Sequence, residues 1–182
     1  MNISKKNYIA EGSQRLVYQH PDNPNLCIKI SKTDSNEHYI KREIKYTNKY
    51  TSRFKFLPLY HGSINTNLGV GHVFDLVCNS DGAVSSTLLK EKHLFSSDQL
   101  AEKLRTLYEL LLSNDIVLSD IHLENILVKK IDGSDEELWL VDGVGNSDFI
   151  KICDFSHFFL KKKLIRKFTR LSNALNLKIS FN

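Results

Sequence analysis

Short apolar runs separated by turn-forming residues fill the first third of the chain. Residues 8–10 lead into Glu11, Gly12 and Ser13, residues 16–18 lead into a turn cluster at Pro21, Asp22, Asn23, Pro24 and Asn25, and residues 26–30 resume as a third strand. Lys29 lies inside that third run, where an unpaired ammonium is costly to bury. It therefore needs either an edge from which to reach water or a partner. Asp34 and Glu37 have the spacing of a helix N-terminus, and Tyr39, Ile40, Ile44, Tyr46 and Tyr50 follow at helical intervals. Glu43 falls within that stripe, three residues after Ile40 and four after Tyr39, so a carboxylate shares the apolar face. The economical arrangement pairs Glu43 with Lys29. Strands over 57–64 and 70–77, joined by a turn at Asn65, Thr66, Asn67, Leu68 and Gly69, complete a set of five.

Beyond a polar break at Cys78, Asn79, Ser80, Asp81 and Gly82 the period changes. Ser96 and Gln99 make a capping box, and Leu100, Leu104, Leu107 and Leu111 step along one helical face. The shift predicts one domain of two parts, a mainly β part over 1–78 and a mainly helical part over 79–182. Near the end, Leu160, Leu164, Phe168, Leu171 and Leu175 form a stripe among Lys161, Lys162, Lys163, Arg166, Lys167 and Arg170. Two readings stay open: a terminal helix docking its leucines on the domain, or a basic amphipathic helix lying on an anionic membrane surface or another polyanion.

Composition narrows the class. The chain has 182 residues, is 41% hydrophobic and 25% charged, and carries a formal charge of +4, which fits a soluble globular domain and excludes disorder. Residues 161–170 hold six cations and no acid, leaving −2 on the remainder. The surplus is thus one local patch, and no nucleic-acid partner is expected. Cys27, Cys78 and Cys153 include no CxxC pair, so neither a disulfide framework nor a zinc site is indicated, and they read as packing residues. With no secretory signal and no apolar run of membrane-spanning length, a cytoplasmic protein is expected, with peripheral attachment to the inner membrane surface as the alternative. Nothing in the pattern specifies an oligomeric state.

The candidate chemistry lies after the long helix. Asp120 and Asn125 precede one apolar run, a turn follows at Asp132 and Gly133, and a second run ends at Asp142 and Gly143. Folded as a hairpin, these runs bring two carboxylates and an amide toward one edge, oxygen donors of the kind Mg²⁺ takes beside substrate phosphates. His122 has no second histidine at ligand spacing and reads as a residue that hydrogen-bonds the loop.

Asp120 with Asn125, followed by Asp142-Gly143, resembles the catalytic loop and metal-binding Asp-Phe-Gly of the protein-kinase-like fold. The form Asp-Ile-His-x-x-Asn is nearer to small-molecule kinases of the aminoglycoside, choline and lipopolysaccharide-core type than to His-Arg-Asp. The run from Arg15 to Pro21, then Cys27-Ile-Lys-Ile, Arg42-Glu43 with Lys45-Tyr46, and Tyr60-His-Gly is similar to the bacterial YrbL family of PhoP regulatory network proteins. The resemblance implies a reduced kinase-like α+β fold, with a five-stranded antiparallel N-lobe sheet and one helix, plus a short mainly helical C-lobe. It implies ATP and Mg²⁺ as cofactors, with Gly12, Ser13 and Val17 at the phosphate loop and Lys29, oriented by Glu43, on the phosphates. Leu76 and Cys78 would lie in the adenine hinge, Asp120 would act on the acceptor hydroxyl, and Asn125 and Asp142 would hold the metal. The acceptor it implies is a small molecule, a glycan or a lipid-linked molecule. A nucleotide-binding pseudokinase or regulatory module is the alternative. Departures from the kinase pattern are the single glycine in the first loop, Ser119 in place of arginine, Val144 in place of the usual aromatic, and no Ala-Pro-Glu segment after Asp142.

Overall fold

The computed structural model describes residues 1–33, 37–132 and 135–181, so the helix cap expected at Asp34 and the turn glycine at Gly133 lie outside the described residues. Five antiparallel strands, β1 (Tyr8–Glu11), β2 (Arg15–His20), β3 (Asn23–Ser31), β4 (Tyr60–Thr66) and β5 (Gly69–Asp75), form a sheet in the order β1-β2-β3-β5-β4. Between β3 and β4 runs helix α1 (Glu37–Tyr50). Strand period sorts the side chains. Leu16 pairs with Ile30 and Tyr18 with Ile28, and these residues pack with Ile3 and Val73 on one face of the sheet. Val17 pairs with Lys29 and Arg15 with Ser31, so these four share the opposite face, where Ile40 of α1 meets Cys27 and Phe74.

The strand expected over 57–64 begins only at Tyr60. Pro58 has no N–H to give a ladder, and Leu57 is buried in the core of the helical half. Likewise β5 stops at Asp75: Leu76 donates its N–H to Asn25 O (2.7 Å), and the chain leaves through a bridge between Cys78 and Val84.

Helices α2 (Leu88–Glu91), α3 (Ser97–Ser113) and α4 (His157–Ala174) and a small antiparallel sheet of β6 (Ser86–Thr87), β7 (Ile126–Lys130) and β8 (Glu136–Leu140) make up the rest. The capping box is formed: Gln99 donates its N–H to Ser96 Oγ (3.2 Å), and Ser96 donates its own to Gln99 Oε1 (2.8 Å). Leu100, Leu104, Leu107 and Leu111 of α3 are buried with Leu160, Leu164, Phe168 and Leu171 of α4. The terminal stripe is therefore core, closed by the rings of Tyr108, Phe168 and Phe181 at 5.2 to 5.5 Å. No helix among the described residues is long and apolar enough to cross a membrane.

α1 belongs to both cores. Ile40 packs against the five-stranded sheet, whereas Tyr46 and Tyr50 pack with α3 and α4. Glu43 lies between these anchors, which fixes it where the two halves meet. The α4 docking predicts that Phe168→Ala costs about 3–5 kcal/mol, a melting-point loss of about 6–20 °C at ~2–4 °C per kcal/mol. Arg170→Ala, on the exposed side, should stay within about 0.5 kcal/mol. Thermal melts of the two variants check this.

Candidate functional site

Lys29 and Glu43 meet beneath the junction. Lys29 Nζ lies 2.5 Å from Glu43 Oε1, donates to the Val141 carbonyl (2.8 Å) and sits 4.5 Å from the centroid of the Phe74 ring. Both side chains are buried. Strand parity aims Lys29 off the α1 face of β3, and helical period aims Glu43 back at it.

A residue that sequence reasoning assigned no role completes the cluster. The buried Arg15 guanidinium donates one arm to Glu43 Oε2 and the other to Asp142 Oδ2. Two cations and two carboxylates thus form one linked set across β2, β3, α1 and the end of β8. The signal for Arg15 was parity: it lies two residues before Val17, whose cross-strand partner is Lys29, so the guanidinium had to share the lysine face. Burial acts to raise the Asp142 carboxyl, but the Arg15 charge, Lys29 and the Gly143 N–H outweigh it and hold the group below its ordinary range. Burial works against the Arg15 charge too, yet Glu43 and Asp142 raise its pKa further above an already high value.

Gly143 joins this set to the neighbouring loop. Its N–H donates to Asp142 Oδ1 (2.6 Å), while its carbonyl accepts from Ser119 N–H (2.8 Å), Ser119 Oγ (3.0 Å) and Asp120 N–H (3.3 Å). With φ at +78°, and with any Cβ at this position falling 2.1 Å from Asp120 O, only glycine fits. Asp120 is the outward group: its side chain is 58% exposed, Oδ1 accepts from Ile121 N–H (2.9 Å), and Oδ2 lies 2.7 Å from His122 Nε2. His122 is accordingly a loop hydrogen-bonding residue. From α4, Lys167 donates to Ser119 O (2.6 Å) with Nζ 3.8 Å from Asp120 Oδ1. Burial lowers the Lys167 pKa, and Asp120 opposes that shift. Lys167 is the second residue missed, hidden in a basic run where any one cation is unremarkable.

A cleft of about 570 Å³ opens over these groups, lined among others by Gly12, Ser13, Glu43, Asp120, Asn125 and Asp142. Six of the residues singled out from the sequence therefore share one cavity, with Lys29 tied beneath it. Three do not line it. Val17 and Leu76 pack on the Cys27, Ile40 and Phe74 cluster, and Cys78 is engaged in its bridge to Val84. Ser85 N–H bonds Val77 O (3.0 Å) and Asn79 N–H bonds Ala83 O (2.8 Å), a pattern that points the Cys78 N–H and C=O away from Val84. Burial pushes the Cys27 thiol up to about 11, which suits a packing residue.

Asn125 and Asp142 offer the amide and carboxylate oxygens that Mg²⁺ accepts beside phosphates and water. No cluster of three or more His, Cys, Asp or Glu side chains suited to a metal occurs among the described residues. The donor types fit a metal that draws its other ligands from a substrate. Both Asp142 oxygens are engaged, one by Gly143 N–H and one by Arg15, so a cation there competes with the guanidinium.

Comparison with known proteins identifies the family and the fold. The family model described as PhoP regulatory network protein YrbL matches residues 1–176. Over 179 residues the chain is 31% identical to YrbL of Escherichia coli (strain K12) and to YrbL of Shigella flexneri, spanning 93% of this chain and 85% of each relative. Among solved structures it is similar to the PknI kinase domain of Mycobacterium tuberculosis, with a TM-score of 0.57 and 11% identity, over 91% of this chain and 70% of that one. The fold is thus the kinase-like α+β architecture. Counted back from Val17, the last glycine of a kinase loop, G-x-G-x-x-G-x-V, falls on Arg15.

The linked charges predict an order of stabilities. Glu43→Gln leaves Lys29 with no carboxylate and Arg15 with Asp142 alone, and should cost about 3–5 kcal/mol; Lys29→Met leaves Arg15 paired and should cost less, and Lys29→Met with Glu43→Leu should recover only part of the loss, because Arg15 keeps one of its two carboxylates. Denaturant titration measures each. Because the Asp142 pKa is depressed, its contribution is complete above the unfolded value of about 3.9 and is lost as pH falls through the lower native value. The stability gap between wild type and Asp142→Asn should therefore be widest near neutrality and close below about pH 4. A gap unchanged by acid would place Asp142 outside the network.

Proposed function

The chain belongs to the PhoP regulatory network protein YrbL family, and from that footing we propose that it is an ATP- and Mg²⁺-dependent phosphotransferase acting on a hydroxyl of a small molecule, glycan or lipopolysaccharide-type acceptor. The observation that carries the reading is the gathering of Asp120, Asn125 and Asp142 on one cleft above the Lys29–Glu43 ion pair, an arrangement suited to phosphoryl transfer, which rests on positioning and charge neutralisation.

In this reading Lys29, held by Glu43, meets the α and β phosphates, and the loop bearing Gly12 and Ser13 covers them. Asn125 and Asp142 would hold Mg²⁺, which supplies neutralisation of phosphate charge when bound. Asp120 takes the acceptor hydroxyl proton as that oxygen bonds the γ phosphorus, the bond to the bridging oxygen breaks and ADP leaves. Lys167 steadies the Asp120 loop through Ser119 O. Arg15 has to give up Asp142 Oδ2 for the metal, which frees a guanidinium beside the phosphates.

A second reading, a binding module without catalysis, is favoured by the same Arg15 contact, since Asp142 already has a cationic partner. Mg·ATP at about 100 times its dissociation constant should raise the melting temperature by about 5–11 °C, and Asp142→Asn should remove most of the magnesium-dependent part. No shift with any nucleotide, with or without Mg²⁺ or Mn²⁺, overturns both readings. Asp120→Ala should keep Mg·ATP affinity within a few fold while slowing transfer from labelled ATP to a fractionated extract by about 10²- to 10⁴-fold. Equal binding with no labelling by either protein selects the binding module.

A further inference from the structure

Outside the cleft, one stretch violates the usual economy of a soluble surface. Phe149, Ile150, Ile152, Phe155, Phe158 and Phe159 are all exposed, Phe149 at 102% and Phe155 at 89%. Six large apolar side chains within eleven residues make a patch of the kind that marks an interaction surface. The α4 stripe, for which the sequence left docking on the domain and lying on a membrane both open, is a different set, and it is consumed by the core.

The charges around this patch name its occupant. Phe158, Lys162, Arg166 and Arg170 form one i, i+4 row on the outward side of α4, all exposed, with Lys162 Nζ 4.3 Å from the Phe158 ring centroid. The acids of the same region are paired: Asp115 with His157 at 3.0 Å, both exposed, and two others within the fold. Asp154 accepts from Tyr46 Oη (2.8 Å) and Asn146 Nδ2 (3.3 Å), and Asp148 is held by Lys163 at 2.7 Å. What faces out is apolar at the tip and cationic behind it, which complements a layer with an apolar interior and an anionic margin. Aliphatic Ile150 and Ile152 offer no face on which a nucleobase could stack.

We propose that residues 149–159 and the Phe158–Arg170 row dock the protein on an anionic lipid surface. The phenyl and isoleucine side chains enter the boundary between headgroups and acyl chains, and Lys162, Arg166 and Arg170 meet the headgroup phosphates. This inference stands apart from the nucleotide chemistry and survives its failure.

Vesicle co-sedimentation of the full chain tests it, with phosphatidylglycerol vesicles against phosphatidylcholine vesicles. Binding should favour the anionic vesicles and weaken with salt. At about fivefold per cation, Lys162→Glu with Arg166→Glu should weaken it by about thirtyfold or more. Phe149→Ser with Phe155→Ser should abolish binding while leaving the melting temperature unchanged, because both rings lie outside the core. The salt titration of the wild type stands on its own if a variant folds poorly. Absent or charge-independent binding overturns the proposal, as do variants that bind like wild type. So does displacement of vesicles by a single-stranded oligonucleotide. A dimer in light scattering that Phe149→Ser with Phe155→Ser dissolves would assign the patch to a second copy of this chain and overturn it too.

Discussion

Glu43 accepts from both Lys29 and Arg15, and Arg15 reaches on to Asp142. Ion pairs in low dielectric gain little net stability over apolar packing, but removing Glu43 leaves the buried Lys29 ammonium without a carboxylate. This set therefore acts less as glue than as a constraint. It favours one relative placement of β2, β3, α1 and the segment after β8, because a shift of β3 against α1 parts Lys29 from Glu43 where both are buried. Apolar burial holds each half together; the charges decide how the halves meet.

Two local devices carry that constraint to the cleft. α1 is anchored at Ile40 in the sheet core and at Tyr46 and Tyr50 in the helical core, so Glu43 cannot drift from the junction without unpacking one of them. Gly143, at a φ open to glycine, gathers Ser119 and Asp120 onto one carbonyl while its N–H holds Asp142. The outward carboxylate of Asp120 and the inward one of Asp142 are consequently positioned by one peptide unit, and α4 supports the same loop through Lys167.

The parts of this arrangement readable in the sequence were those where a residue broke its local pattern. A lysine in an apolar strand and a glutamate in an apolar helix stripe announce each other, and Asp120, Asn125 and Asp142 stood at the mouths of apolar runs. Arg15 did not break a pattern: it opens β2 directly after a polar turn, where a cation is ordinary, and only its parity with Val17 and Lys29 turns it inward. Lys163 and Lys167 were hidden in the same way by their basic neighbours. The start of β4 was misjudged because Leu57 and Leu59 read as strand residues, whereas Pro58 interrupts the ladder and Leu57 serves the other core. The exposed residues of 149–159 carried no signal in the sequence, because composition cannot say which apolar side chains find partners.

Arg15 stands where the kinase loop pattern carries a glycine, and its contacts tie four positions together under substitution. A change of Arg15 to glycine alone would leave Glu43 with one cation and Asp142 with none. A loss of Asp142 alone would leave the second arm of Arg15 without a carboxylate. Relatives should therefore differ at positions 15, 29, 43 and 142 in compensated combinations, so that the loop glycine returns only where something else neutralises Asp142. Exchanging this arginine-latched lip for a glycine one therefore takes paired substitutions, which makes the latch a constraint on sequence as well as on structure.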